Sequence, residues 1–270
     1  MTTQDEKAKR FRELHGRDHA FIIPNPWDVG TARMLANMGF EALATTSAGF
    51  AFSTGHLDNT VSREQVIEHV RSIASATDLP VSADLENGFG DAPEMAAETI
   101  RLAAAAGAVG GSIEDATERG DAIYEKDLAA ERVRAAAEAA HGLRFTLTAR
   151  AENYLHGRRD LKDTIRRLQA YQEAGADVLY APGITTRDEI AAVVTSVDRP
   201  VNVLMGMGGI ALTAEDLSKL GVKRISVGSG LSRAALGAFL RAAREMREQG
   251  TFTFADQAAS SREISGLLGF

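Results

Sequence analysis

The sequence predicts an α/β protein built as a (β/α)8 TIM barrel, and three observations carry that prediction. Eight short apolar runs alternate in strict order with longer helical patterns rich in Ala, Arg and Glu. The apolar runs show almost no polar alternation, as strands covered on both faces require. The chain's 270 residues match the roughly 250 residues typical of eight such units. A doubly wound open sheet is the rival. It usually has fewer units and a Gly-rich first turn, whereas here that turn reads Pro24-Asn25-Pro26-Trp27-Asp28.

The elements follow in order. The first strand is AFIIP, with a helix over 28–38 that Asp28 caps, and Trp27 is expected to pack. The second is EALATTS, ending in Thr45-Thr46-Ser47-Ala48-Gly49. A polar loop with His56 and Asp58 then leads to a helix over 63–77, opened by the capping box Ser62/Gln65. PVSAD, GGSIE and RFTLTA are the third to fifth strands, with helices over 93–106, 127–140 and 160–174. DVLYA, VNVLM and RISVG complete the set, with helices over 186–195, 213–219 and about 231–248. Gly39, Gly107, Gly175 and Gly221 each fall between a helix and the next strand, where a left-handed cap is expected.

No composition shift divides the chain, so residues 1–270 read as one barrel domain with a short C-terminal extension from about 249 to 270. Ile264, Leu267, Leu268 and Phe270 of that tail are expected to pack on the barrel or on a second subunit.

Composition narrows the function. The formal net charge is -7 and no basic stripe is present, so nucleic acid is not the expected partner. No apolar run nears the roughly 20 residues of a membrane span. The charged N-terminus is unlike a secretory signal, and there is no cysteine, so a cytoplasmic protein without disulfides or thiolate chemistry is expected.

Barrel chemistry sits at the C-terminal ends of the strands. The third strand runs into Asp84-Leu85-Glu86. If it extends that far, both acids face one side. The fourth ends in Glu114-Asp115, the fifth in Arg150-Ala151-Glu152, and the seventh near Asn202. Carboxylates facing one another ask for a hard cation such as Mg2+ or Mn2+, so Asp84, Glu86 and Glu114 are the expected metal acids. A structural ring of ion pairs is the alternative. Arg150 offers a planar fork for a substrate carboxylate or keto oxygen. The small residues Ser47, Ala48 and Gly49 let backbone N–H groups approach an oxyanion, although an ordinary tight turn explains them equally well. Asp58 is either a turn residue or an inward-reaching acid. No histidine falls at a strand end, which disfavours a His-rich zinc site. His15, His19, His69, His141 and His156 are expected on the surface or in packing.

The stretches NPWD, TTSAGFAFSTG, VSADLENGFG, GGSIEDAT and LTARAENYLHG resemble the isocitrate lyase/phosphoenolpyruvate mutase superfamily over roughly residues 20–235. DLENGFG resembles that family's Asp-x-Asp-x-Gly-Tyr/Phe-Gly metal motif, and Ile113-Glu114-Asp115 resembles its companion one strand later. The resemblance implies a barrel whose C-terminal helix is often exchanged within a homodimer or homotetramer. It also implies Mg2+ and an enolate-like intermediate. Position by position, it implies Asp84 as the direct metal ligand and Glu86, Glu114 and Asp58 as acids around it. Ser47, Ala48 and Gly49 match the oxyanion cradle, Arg150 the substrate-binding arginine, and Asn202 a polar position on the seventh strand. Arg150, Asp58 and Glu114 are the expected catalytic residues.

Departures from the family pattern narrow this further. Glu86 stands where the motif has Asp. The Cys-bearing loop of the isocitrate and methylisocitrate lyases is replaced by ATERGDAIYEKD, and YAPGI carries neither Glu nor His. The expected function is a Mg2+-dependent lyase that cleaves a carbon–carbon bond of a small α-keto or α-hydroxy carboxylate, with an oxaloacetate-like diacid as lead. Carbon–phosphorus chemistry on phosphonopyruvate, and a non-catalytic barrel that binds metal and oxyanion, are the alternatives.

Overall fold

The computed structural model describes residues 2–117, 122–206, 208 and 211–269. Its elements in chain order begin with α1 (Gln4–His15), β1 (Phe21–Ile23), α2 (Val29–Asn37), β2 (Leu43–Ala44), α3 (Ser47–Ser53) and α4 (Arg63–Ala76). Next come β3 (Val81–Asp84), α5 (Pro93–Ala105), β4 (Gly110–Glu114), α6 (Lys126–His141), β5 (Thr146–Arg150) and α7 (Leu161–Glu173). The last are β6 (Val178–Tyr180), α8 (Arg187–Thr195), β7 (Val201–Leu204), α9 (Ala214–Lys219), β8 (Arg224–Ser226), α10 (Gly230–Gln249) and α11 (Ser261–Leu268).

All eight strands are parallel, in the order β1-β8-β7-β6-β5-β4-β3-β2. The gap between β1 and β2 is bridged where Ala44 N donates to the Pro24 carbonyl at 3.1 Å. The chain is thus a (β/α)8 barrel, with the expected strands and the expected helix after each one.

The expected caps form. Asp28 accepts from Thr31 N, and Ser62 and Gln65 make their reciprocal box. On α7 the buried positions are Thr164, Arg167, Leu168 and Tyr171, one face of a 3.6-residue period. Helices absent from the sequence reading are also present. Helix α1 inserts Phe11, Leu14 and His15 beside Phe21 at the N-terminal end of the barrel. Helix α3 follows β2 directly, with Thr46 as its cap.

The end of the chain is arranged differently from the rest. α11 rests on α2, with Asn37 Nδ2 donating to the Leu267 carbonyl at 2.8 Å. Phe270 lies outside the described residues. α10 is 20 residues long, yet Ser232 is its one buried residue. Phe239 on it is 65% exposed, and Ile22, which points outward from β1, is 41% exposed. No helix among the described residues is long and apolar enough to cross a membrane.

Candidate active site

A cavity of about 240 Å³ opens at the C-terminal ends of the strands. Its wall includes Ser47, Ala48, Asp58, Asp84, Arg150 and Asn202, so the barrel gathers six of the expected residues around one space.

Arg150 ends β5 and stands at the centre of an acidic cluster. Its Nη1 lies 2.9 Å from Asp84 Oδ1, its Nη2 3.0 Å from Glu114 Oε2, and its Nε 2.9 Å from Glu152 Oε1. Three neighbouring strand ends thus each bring a carboxylate to one guanidinium. The Tyr180 ring lies 5.2 Å from the guanidinium carbon. Burial alone would lower the Arg150 pKa, but Glu114, Glu152 and Asp84 outweigh it and raise it.

Asp84 also reaches across to α3, where Ser47 N donates to its Oδ2 at 3.0 Å. The strand stops at Asp84. Glu86 therefore does not reach the cluster by simple strand alternation. The chain turns through a left-handed Glu86, φ 50°, whose carbonyl accepts from Glu114 N at 3.0 Å. A non-glycine residue in that region is held against local strain by its surroundings. Part of the holding comes from Arg132 on α6, which donates to the carbonyls of Asn87, Gly90, Asp91 and Ala92.

Five carboxylates, those of Asp58, Asp84, Glu86, Glu114 and Glu152, act on this one guanidinium or on one another. The excess of negative charge shows in their protonation. Burial, then the charges of Asp84 and Asp58, push Glu86 up to about 8. Burial raises Glu114 well above its ordinary value, with Arg150 offsetting only part. Glu152 is raised for the same reason. Asp58 sits on the exposed rim of the cavity, yet loss of water on its inner side and the Asp84 charge raise it too.

The acids surround Arg150 rather than one empty point. Among the described residues, no three Asp, Glu or His side chains are gathered closely enough to grip an ion as they stand. In charge and chemistry the donor set nevertheless suits a hard divalent cation, being all oxygen and in excess over the one guanidinium.

The remaining expected residues divide. Ser47 and Ala48 line the cavity from the first turn of α3. The Gly49 N–H donates to Thr46 Oγ1, and a Cβ at Gly49 would lie 2.6 Å from Thr46 Cγ2 and 3.2 Å from Trp27 Cβ. Close packing of α3 therefore requires that glycine. Asn202 is on the cavity floor with both amide ends engaged, Oδ1 by Arg224 Nε and Nδ2 by Ser226 Oγ. Asp115 turns away from the cavity into a buried network. It accepts from Tyr171 Oη at 2.6 Å, Arg167 Nη1 at 2.9 Å and Glu152 N at 2.7 Å, which ties the ends of β4 and β5 together. Part of the ATERGDAIYEKD loop, residues 118–121, lies outside the described residues.

Tyr180 ends β6 and lines the cavity, and so do Arg224 and Arg233, which the strand-end rule does not find. Arg224 opens its strand, and Arg233 follows the last one on α10. Of the histidines, His69 is buried and stacked on Phe50 at 3.9 Å, and His15 is buried against Phe11 and Phe21.

A family model described as phosphoenolpyruvate phosphomutase matches residues 11–247. A solved structure from Burkholderia cenocepacia J2315, described only as a lyase/mutase candidate, is 63% identical. It covers 99% of this chain and 98% of its own, with a TM-score of 0.96. A phosphonopyruvate hydrolase in complex with oxalate and Mg2+ is 27% identical, with coverage of 100% and 95% and a TM-score of 0.85. An oxaloacetate acetylhydrolase bound to the inhibitor 3,3-difluorooxalacetate is 25% identical, with coverage of 97% and 93% and a TM-score of 0.86.

Proposed function

This chain belongs to the isocitrate lyase/phosphoenolpyruvate mutase superfamily, and from that premise we propose a cytoplasmic, Mg2+-dependent lyase. It cleaves a carbon–carbon bond of a small α-keto or α-hydroxy carboxylate, with an oxaloacetate-like diacid as the lead substrate. The observation that carries this reading is the crowding of carboxylates around Arg150, with more negative charge than one guanidinium balances.

Asp84, Glu86 and Glu114 would hold the Mg2+, with Mn2+ as a substitute. When bound, the cation supplies a Lewis acid beside the substrate's keto oxygen. The protein's own groups do the rest. Arg150 binds the substrate carboxylate or keto oxygen with its fork, and Glu114 orients that fork from behind. The Ser47 and Ala48 backbone lines the same cavity, tied to Arg150 through Asp84, Gly49 lets α3 pack close enough to put it there, and Asn202 closes the floor. Breaking the bond beyond the keto carbon sends its electron pair toward the keto oxygen as carbon dioxide leaves. Stabilising charge where it develops is the large catalytic contribution. Asp58, on the rim with a raised pKa, returns a proton to the carbon.

A second reading, cleavage of the carbon–phosphorus bond of phosphonopyruvate, is favoured by the likeness to the phosphonopyruvate hydrolase. A screen of keto and hydroxy diacids with added Mg2+, scored for pyruvate release, separates the two. Product from oxaloacetate and none from phosphonopyruvate supports the first. The reverse supports the second. Tight oxalate binding with no product from any acid would leave a binding barrel without turnover.

The protein acts as a homodimer or homotetramer in this reading. α10 holds the place in the chain of the helix that should cover β1 and β8, but it is almost entirely exposed, and outward-facing Ile22 is uncovered. A second copy's α10 laid over that face would bury both.

A further inference from the structure

The cavity floor carries a cation that the acidic cluster does not account for. Arg224 is 5% exposed and lines the same cavity as Asp84 and Arg150. Its Nε donates to Asn202 Oδ1 at 2.9 Å and its Nη2 to Thr148 Oγ1 at 3.0 Å. Its Nη1 is buried and makes no hydrogen bond. Among the described residues, the titratable groups that act on it are the neutral Tyr180 phenol, Arg150 and His15, none of them a carboxylate. Burial, with the Arg150 charge added to it, lowers its pKa to about 10.

A buried charge is normally paired, because leaving it unpaired is costly. Arg150 meets that rule with three carboxylates. Arg224 has only neutral oxygens, from an amide and a hydroxyl. Arg233, the third arginine on the wall, is exposed on the rim. Water can solvate it, so its position sets no demand for an anion. The cavity therefore has an acidic pole at Asp84 and a cationic pole at Arg224.

We propose that Arg224 is the specificity residue of this cavity, recognising a second anionic group, a carboxylate or a phosphonate, at the far end of the ligand. The near end of that ligand lies at Asp84 and Arg150, so the proposal rests on the keto-acid reading above. A keto monoacid answers one pole and leaves Arg224 without a counter-ion. A keto acid with a second charge answers both, and the planar guanidinium suits either group.

The test is calorimetric titration of the Mg2+-loaded full-length protein with four probes. Oxalate reports the acidic pole alone. 3,3-Difluorooxaloacetate and phosphonopyruvate carry the second charge as carboxylate and phosphonate. 2-Oxobutyrate lacks it. The wild-type protein is expected to prefer at least one dianion over 2-oxobutyrate by about tenfold to a hundredfold, the worth of one hydrogen bond to a charged group. The preferred dianion names the group.

Arg224→Met should cut that preference to about threefold or less and leave oxalate binding within about twofold. Arg224→Gln, which can keep one internal hydrogen bond, carries the same expectation if the methionine variant does not fold. A folded variant that keeps the full preference overturns the proposal, as does its loss in Arg233→Met but not at Arg224. Wild-type protein that binds oxalate but favours neither 3,3-difluorooxaloacetate nor phosphonopyruvate over 2-oxobutyrate sinks the Arg224 assignment alone. Wild-type protein that does not bind oxalate sinks the keto-acid reading and this proposal with it.

Discussion

Arg150 Nη1 stands 2.9 Å from Asp84 Oδ1, and the same Asp84 accepts from Ser47 N through its other oxygen. One carboxylate thus links β5, β3 and the start of α3. Removing Arg150 leaves several buried carboxylates without their cation. Arg150→Met is expected to destabilise the protein in EDTA by about 3–5 kcal/mol, the usual cost of breaking a buried pair from one side. Mg2+ should restore part of the loss by taking over the charge. Urea midpoints with EDTA and with Mg2+ check this. Equal midpoints for variant and wild type in EDTA would mean that the acids do not depend on the guanidinium.

The pH dependence of stability follows from Glu86. Its folded-state pKa, about 8, lies above its ordinary 4.5. Between those values the folded chain holds a proton that the unfolded chain has lost. Metal-free stability should therefore fall as pH rises through that window, by up to about 1.4 kcal/mol per unit from this group. Glu86→Gln should flatten that part of the slope, and saturating Mg2+ should reduce it in the wild type. Thermal melts in EDTA at intervals from pH 5 to 8 give the reading, and a slope unchanged in the variant would rule out Glu86 as its source.

The exposed face of α10 predicts an assembly. Phe239→Asp should shift the molar mass measured by light scattering toward the monomer, because a charge in a buried apolar contact is costly. A wild-type protein that is already monomeric at micromolar concentration would remove the case for helix exchange.

Much of this barrel is legible in the residues alone. Short apolar runs such as Val81–Asp84, Gly110–Glu114 and Thr146–Arg150 announce strands covered on both faces, and their last residues bring Asp84, Glu114 and Arg150 into one ion-paired cluster. Two features resist such a reading for physical reasons. The left-handed turn at Glu86 depends on the Arg132 clamp, which comes from α6, 45 residues on from Asn87 and beyond α5 and β4. The inward aim of Arg224 depends on the stagger between strands, which no single strand encodes. α1 does leave a local trace in the Thr3/Glu6 capping box, but its apolar positions are few in a heavily charged stretch.

The most direct test of the central claim is a calorimetric titration of oxalate into the wild type and Asp84→Ala, with and without Mg2+. The acidic cluster around Arg150 predicts Mg2+-dependent binding to the wild type and its loss in the variant. Oxalate binding of equal affinity in all four titrations would contradict it.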